Sequence, residues 1–192
     1  MTTSLWKTLF LNSKSSYACA PEVAKNTITE EMLGLGAELK DGYWYYGDEP
    51  VELIFLIRSD DERQSFGDYI ASQLESIGFV VEKQYVSGTV EAAQIWEYGD
   101  PAEGRWHLYT GGSEGTKGTA TLVQASELYT MYNPGGQTGR LSNYYDPDPE
   151  LLDAAIRLHE GSFESLEERE AVFARGLKLA LEDSVRIWIT TK

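Results

Sequence analysis

Val51-Glu52-Leu53-Ile54-Phe55-Leu56-Ile57-Arg58 is the stretch on which the fold turns. From Leu53 to Ile57 it is apolar without alternation, the pattern of a strand covered by helices on both faces. Upstream, Trp44-Tyr45-Tyr46 and the turn residues Gly47-Asp48 lead into it as a hairpin. Downstream, Ser59-Asp60-Asp61-Glu62 has the form of a capping box. Phe66, Tyr69, Ile70, Leu74 and Ile77 then recur at three- and four-residue spacing, which predicts one apolar helical face. Gly78 stands where a left-handed helix end is wanted.

The same grammar continues. Phe79 to Val86 reads as a second strand, and a short helix after Ser87 runs through Ala92, Ala93, Ile95 and Trp96. Trp106-His107-Leu108-Tyr109-Thr110 reads as a third strand and runs into Gly111-Gly112-Ser113-Glu114-Gly115. This β-α-β-α-β order predicts an α/β domain with a mainly parallel sheet flanked by helices. Outward from that centre, Thr27-Ile28-Thr29-Glu30 predicts the start of a helix ending near Gly36. A further helix is expected over Leu122 to Tyr132. Asp148 and Pro149 open another, as cap and first helical residue, with Gly161 as its end. Ser165-Leu166-Glu167-Glu168 opens a third, and Val185 to Thr190 reads as a closing strand. Residues 1–27 are expected as an N-terminal arm or hinge-derived segment, and 28–192 as the α/β ligand-binding lobe.

Composition narrows the function. The chain has 192 residues, 42% of them hydrophobic, enough for one sizeable core. Its net charge of −15, from 31 acidic and 16 basic residues, repels phosphate backbones and anionic lipid. Nucleic-acid binding is therefore not expected, and cationic ligands are mildly favoured. The single cysteine, Cys19, has no partner for an internal disulfide. No stretch approaches the roughly 20 apolar residues that span a bilayer.

Catalytic chemistry finds little support. His107 and His159 have no cysteine or serine motif placed with them, and H-E-x-x-H, G-x-S-x-G and zinc-type Cys/His clusters are absent from the sequence. Asp60 and Asp61, at the end of the first parallel strand, are where a receiver-like domain holds magnesium. The aspartate such a domain needs on its third strand is replaced by Thr110 or Gly111. Capping by Ser59 and Glu62 accounts for the acidic pair without metal. The run from Gly111 to Lys117 matches neither a P-loop nor a dinucleotide fingerprint. No catalytic residue, metal or cofactor is expected.

Geometry supplies the positive expectation. Ligands of open α/β sheets bind beyond the carboxyl ends of the strands. Thr110, Gly111, Gly112, Ser113 and Glu114 are therefore the expected ligand contacts, through backbone groups and the Glu114 carboxylate. Trp106, Tyr109 and Tyr144 are the expected apolar walls, and Glu114 is placed to pair with a ligand ammonium such as a peptide amino terminus. Alternatives from other classes are a flavodoxin- or receiver-like magnesium-binding phosphoacceptor or enzyme using Asp60 and Asp61, and a carbohydrate-binding module using exposed Tyr and Trp.

Several stretches resemble a known family. Gly42-Tyr43-Trp44-Tyr45-Tyr46-Gly47-Asp48-Glu49-Pro50-Val51, then Phe55 to Arg58 and Asp61-Glu62-Arg63, are similar to the peptide-type extracellular solute-binding proteins, family 5. So are Gly67 to Ala71, Gln73 to Phe79, Trp106 to Gly112, and Asn143-Tyr144-Tyr145 with Asp153. The resemblance covers roughly residues 28–190 and implies the carboxyl-terminal lobe of an ABC-importer receptor for oligopeptides or related solutes. It implies a membrane permease as partner and a location in the periplasm or at the extracellular face. Members of the family are longer and carry a secretion signal, so the chain is expected to be an excised domain or truncated product. An aromatic residue is usual in the loop after the third strand. Gly112-Ser113 stands there, which leaves the ligand class open. The lobe alone is expected to fold, to bind weakly, and to expose apolar surface that favours a homodimer.

Overall fold

The structure, a computed structural model, describes residues 20–111, 144–185 and 187. The expected helix over Leu122 to Tyr132, the residues Gly112, Ser113 and Glu114, and the arm before Ala20 lie outside the described residues. So does most of the expected closing strand; its described residues Val185 and Ile187 are exposed and not in a strand. The chain divides into two compact units, Cys19–Ser113 and Met1–Ala18 with Glu114–Lys192.

The first unit opens with α1, Pro21–Gly34. The helix therefore starts six residues before the expected Thr27. Pro21 suits the first turn, where its missing N–H is no loss. Thr29 lies inside the helix, its hydroxyl donating to the Lys25 carbonyl four residues back at 2.7 Å. Residues 21–27 are thus helical.

Three short strands follow, β1 Glu38–Lys40, β2 Tyr43–Tyr46 and β3 Glu49–Pro50, forming an antiparallel sheet in the order β1-β2-β3. Both connections are two-residue turns. Asp41 and Gly42 have φ values of 50° and 87°, the conformation that favours Asp-Gly in a hairpin. Trp44, only 1% exposed, joins this sheet to the rest of the unit. Its backbone N–H donates to the Gly78 carbonyl at 2.8 Å, and its indole Nε1 donates to the Ile77 carbonyl at 2.9 Å. Ala37 and Phe79 complete the buried cluster around it.

The second sheet carries the expected parallel grammar. β4, Glu52–Arg58, pairs in parallel with β5, Val80–Val86, and with β6, Leu108–Tyr109, giving the order β5-β4-β6. Between β4 and β5 runs α2, Arg63–Ser76, and between β5 and β6 runs α3, Gly88–Trp96. A three-residue turn of 3₁₀ helix, Pro101–Glu103, precedes β6. The apolar run of β4 is the core: Phe55, Leu56 and Ile57 are at most 2% exposed. As expected for a central strand, it is packed from two sides. Phe55 and Ile57 meet Ala71 of α2, whereas Leu56 meets Ala92 of α3.

The buried face of α2 agrees with the expected one at Ile70, Leu74 and Ile77, which pack on the core, and differs at its other two positions. Gly67 and Ala71 are buried, while Phe66 and Tyr69 stand exposed. Close approach decides this. A Cβ on Gly67 would lie 2.6 Å from Ile57 Cγ2, so the helix lies against β4 on its small residues. Gly78 ends the helix with φ 102°, a conformation side chains rarely adopt, and a Cβ there would meet the Gly42 carbonyl at 3.0 Å. The expected box at Ser59 to Glu62 is also replaced. The Ser59 hydroxyl donates to the Val86 carbonyl at 3.3 Å, and Asp61 Oδ1 accepts from the Arg63 N–H at 3.0 Å.

In the second unit, α4 Pro149–Glu160 and α5 Leu166–Asp183 pack together through Leu151, Ala155, Leu158, Phe173 and Ala180. Here the expected caps are all present. Asp148 accepts from the N–H groups of Glu150 and Leu151, Gly161 ends α4 in the left-handed conformation, and Ser165 accepts from the Glu168 N–H. Arg175 grips Glu150 with two bonds of 2.8 and 2.6 Å, and Arg157 reaches Glu168 at 2.5 Å. The Tyr145 hydroxyl donates to the Asp183 carboxylate. Burial, then that carboxylate, pushes the phenol pKa well up.

Candidate functional site at the carboxyl ends of β4 and β6

β4 and β6 end side by side. His107 and Thr110 flank the two-residue strand, and each makes two bonds to β4, His107 before the ladder and Thr110 after it. The Thr110 N–H donates to the Leu56 carbonyl at 3.0 Å, and its hydroxyl accepts from the Arg58 N–H at 2.8 Å. Gly111 follows, its N–H donating back to the Tyr109 carbonyl at 2.9 Å in a tight turn. Thr110 therefore uses one of its hydroxyl lone pairs to close the sheet against β4.

The two aromatic walls are built into this end. Tyr109 stacks on Trp96 of α3 with ring centroids 5.4 Å apart and planes 22° from parallel. Trp106 packs on the cluster of Leu56, Val86 and Ala92. Trp96 was not among the expected site residues. Its place in the helix after β5 was legible, but its partner across the fold was not. Tyr144, the third expected wall, is half exposed and belongs to the other unit. Of the expected contacts, Trp106, Tyr109, Thr110 and Gly111 come together here.

Two acid–base pairs rim the same end. Arg58, 6% exposed, donates from Nε and Nη2 to Asp60 at 2.8 and 2.5 Å. A buried guanidinium is tolerable because it is paired and hydrogen-bonded. Asp60 raises the Arg58 pKa, against the effect of burial, and Tyr109 adds to the rise. Asp61 holds Arg63 through Nε and Nη2 at 2.8 and 2.6 Å. The Arg63 guanidinium and backbone N–H together hold the Asp61 carboxyl down at about 2. Ion pairing, rather than the expected capping by Ser59 and Glu62, thus occupies both aspartates. Among the described residues no group of acidic, His or Cys side chains is disposed to hold a metal ion.

The depressed Asp61 pKa sets an expected pH dependence. The carboxyl binds its proton less readily folded than unfolded, so its contribution is present above about pH 4 and lost as pH falls toward 2. Asp61→Asn is expected to flatten that part of the acid unfolding curve, with stability near pH 7 changed little because the pair is partly exposed. Thermal melts across pH 2–5 check this. An unchanged acid limb would contradict it.

An apolar groove lined by Met32, Leu35, Ala37, Tyr46 and Val51 lies just before β4 begins. It lies at the amino end of the strands. No helix among the described residues is long and apolar enough to cross a membrane.

No protein-family model matches the sequence, and no curated protein matches it. Solved structures do. A nickel ABC transporter structure from Bacillus halodurans superimposes with a TM-score of 0.58 over 82% of this chain at 17% identity. The chain has the fold of a solute-binding-protein lobe. NikZ from Campylobacter jejuni, solved in complex with Ni(L-His), gives a TM-score of 0.59 over 86% of the chain at 15% identity. The chain spans 30% of the length of each of these proteins. The likeness is one of fold, to a part of each of these proteins.

Proposed function

We propose that this chain is a non-catalytic ligand-binding lobe of an ABC-importer solute-binding protein, and that its solute sits at the carboxyl ends of β4 and β6. The observation that carries the reading is the exit of the chain from β6. Backbone at Thr110 and Gly111 emerges where open α/β sheets bind ligands, beside the stacked Trp96 and Tyr109, and leads into a glycine-rich run. Asp60 and Asp61 do not favour the magnesium-binding alternative, because each is already gripped by an arginine.

Oligopeptides or related solutes are the proposed ligands, with Gly112, Ser113 and Glu114 extending the contact surface and Glu114 pairing with an ammonium group. A permease is the proposed partner, reached through the full-length receptor outside the cytoplasmic membrane. A nickel chelate is a second reading, favoured by the structural relatives solved as nickel transport proteins. The experiment separates them. Isothermal titration of the full-length receptor with a tripeptide, its N-acetylated form, and nickel with L-histidine is expected to show heat with the free tripeptide. Glu114→Gln is expected to weaken that binding about 10-fold, the scale of one charge-assisted hydrogen bond. Equal affinity for the acetylated peptide, or an unchanged Glu114→Gln protein, would contradict the ammonium pairing. Heat with the nickel chelate alone would favour the second reading.

A further inference from the structure

β6 has only two residues in its ladder, yet three successive N–H groups of β4 point toward it, those of Ile54, Leu56 and Arg58. The outer two are taken by side chains. At the carboxyl end the Thr110 hydroxyl accepts from Arg58 at 2.8 Å. At the amino end His107 Nδ1 accepts from the Ile54 N–H at 2.8 Å, while the His107 N–H donates to the Ile54 carbonyl at 2.9 Å. One residue, His107, thus makes a full two-bond bridge to Ile54, half of it through a titratable ring. A histidine accepts at Nδ1 only when neutral and protonated at Nε2; the imidazolium carries hydrogen on both nitrogens.

We infer that His107 is a proton-operated latch that positions β6, and with it the Thr110–Gly111 exit, against the central strand. When neutral, the ring closes the bridge to Ile54. When protonated, it cannot accept, and the Ile54 N–H faces a like donor. The strand then keeps Thr110 as its one side-chain staple, and its attachment at the amino end loosens. The charged groups on the surrounding elements are Glu52 and Arg58 on β4, Arg63, Asp68 and Glu75 on α2, Glu91 and Glu97 on and after α3, and Asp100, Glu103 and Arg105 on the approach to β6. Glu103 and Arg105 pair with each other at 3.9 Å, and among the described residues no ion pair engages the imidazole. The ring is exposed, so protons reach it without unfolding.

The latch rests on the proposed function only for what the exit loop binds. Its test needs no ligand, so its failure is distinguishable from failure of that reading. Nitrogen-15 NMR of the whole chain at pH 7.5 is expected to show His107 as the Nε2–H tautomer. Lowering the pH to 5 is expected to reduce hydrogen-exchange protection, relative to intrinsic rates, about tenfold at Ile54 and Thr110, the scale of one backbone bond lost. The carboxamide of His107→Asn keeps an acceptor in place of Nδ1 and does not titrate, so this variant is expected to hold protection constant across the range. An Nδ1–H tautomer at pH 7.5 overturns the proposal even if the variant fails to fold. Unchanged protection in the natural protein, or a pH response that persists in His107→Asn, overturns it as well.

Discussion

Trp44→Ala is expected to lower the stability of the chain by about 3–5 kcal/mol, the usual cost of deleting a buried large aromatic. The indole is 1% exposed and lies in a cluster with Ala37 and Phe79 against which residues of α1, β4, α2 and β5 pack. Its loss opens a cavity between Ala37 and Phe79 and strands the Ile77 carbonyl that Nε1 satisfies. Trp44→Phe separates these effects. It keeps most of the ring volume and loses the bond, so about 1–3 kcal/mol is expected. Urea unfolding with the midpoint shifted and the slope unchanged checks both values. A Trp44→Ala protein within 1 kcal/mol of the parent would show that the small antiparallel sheet is not fastened through this residue.

Gly67→Ala is the second large effect, with an expected loss of about 1–3 kcal/mol. Alanine is ordinarily the better helix residue by up to about 1 kcal/mol. Here the new methyl would lie 2.6, 2.8 and 3.0 Å from three side-chain carbons of Ile57. Ile57 is fully buried in the central strand, so neither partner can move aside cheaply. Ile57→Ala alone is expected to cost about 2–5 kcal/mol by leaving a cavity. The two changes together are expected to cost less than their sum, because the added methyl enters space the isoleucine vacates. Additive losses in a double-mutant cycle would contradict the close approach of α2 to β4.

Much of the fold was legible because it rests on local rules. The unbroken apolar run Leu53 to Ile57 announced a central parallel strand, and Asp148, Gly161 and Ser165 announced their caps, each with its own physical signature. Failures came where a long-range partner overrode a local pattern. Phe66 and Tyr69 have helical spacing with the apolar set, of which Ile70, Leu74 and Ile77 do pack on the core, but the fully buried positions against the sheet are Gly67 and Ala71. Ser59 and Glu62 have capping spacing, yet Val86 and the two arginines engage that segment differently. β1 was missed, although Asp41-Gly42 was a hairpin signal next to it.

Which expected residues the fold brings together was legible only in part. Gly111 after a strand marks a place, and Tyr109 and Trp106 were found with it. Arg58, Arg63 and Trp96 were not, because their importance comes from Asp60, Asp61 and Tyr109 across turns and helices. The role of His107 was hidden for the same reason. Its spacing in the strand says nothing of a side chain that bonds the neighbouring backbone.

Amide-resolved titration of the isotopically labelled chain with millimolar solute, using the same peptides and nickel chelate, tests the central claim most directly. Chemical-shift changes confined to Arg58 and to residues 109–114, weak because a lobe supplies only part of a cleft, are the predicted result. Changes confined to the groove at Met32, Leu35, Tyr46 and Val51, or none with any of the solutes, would contradict a ligand site at the carboxyl ends of the strands.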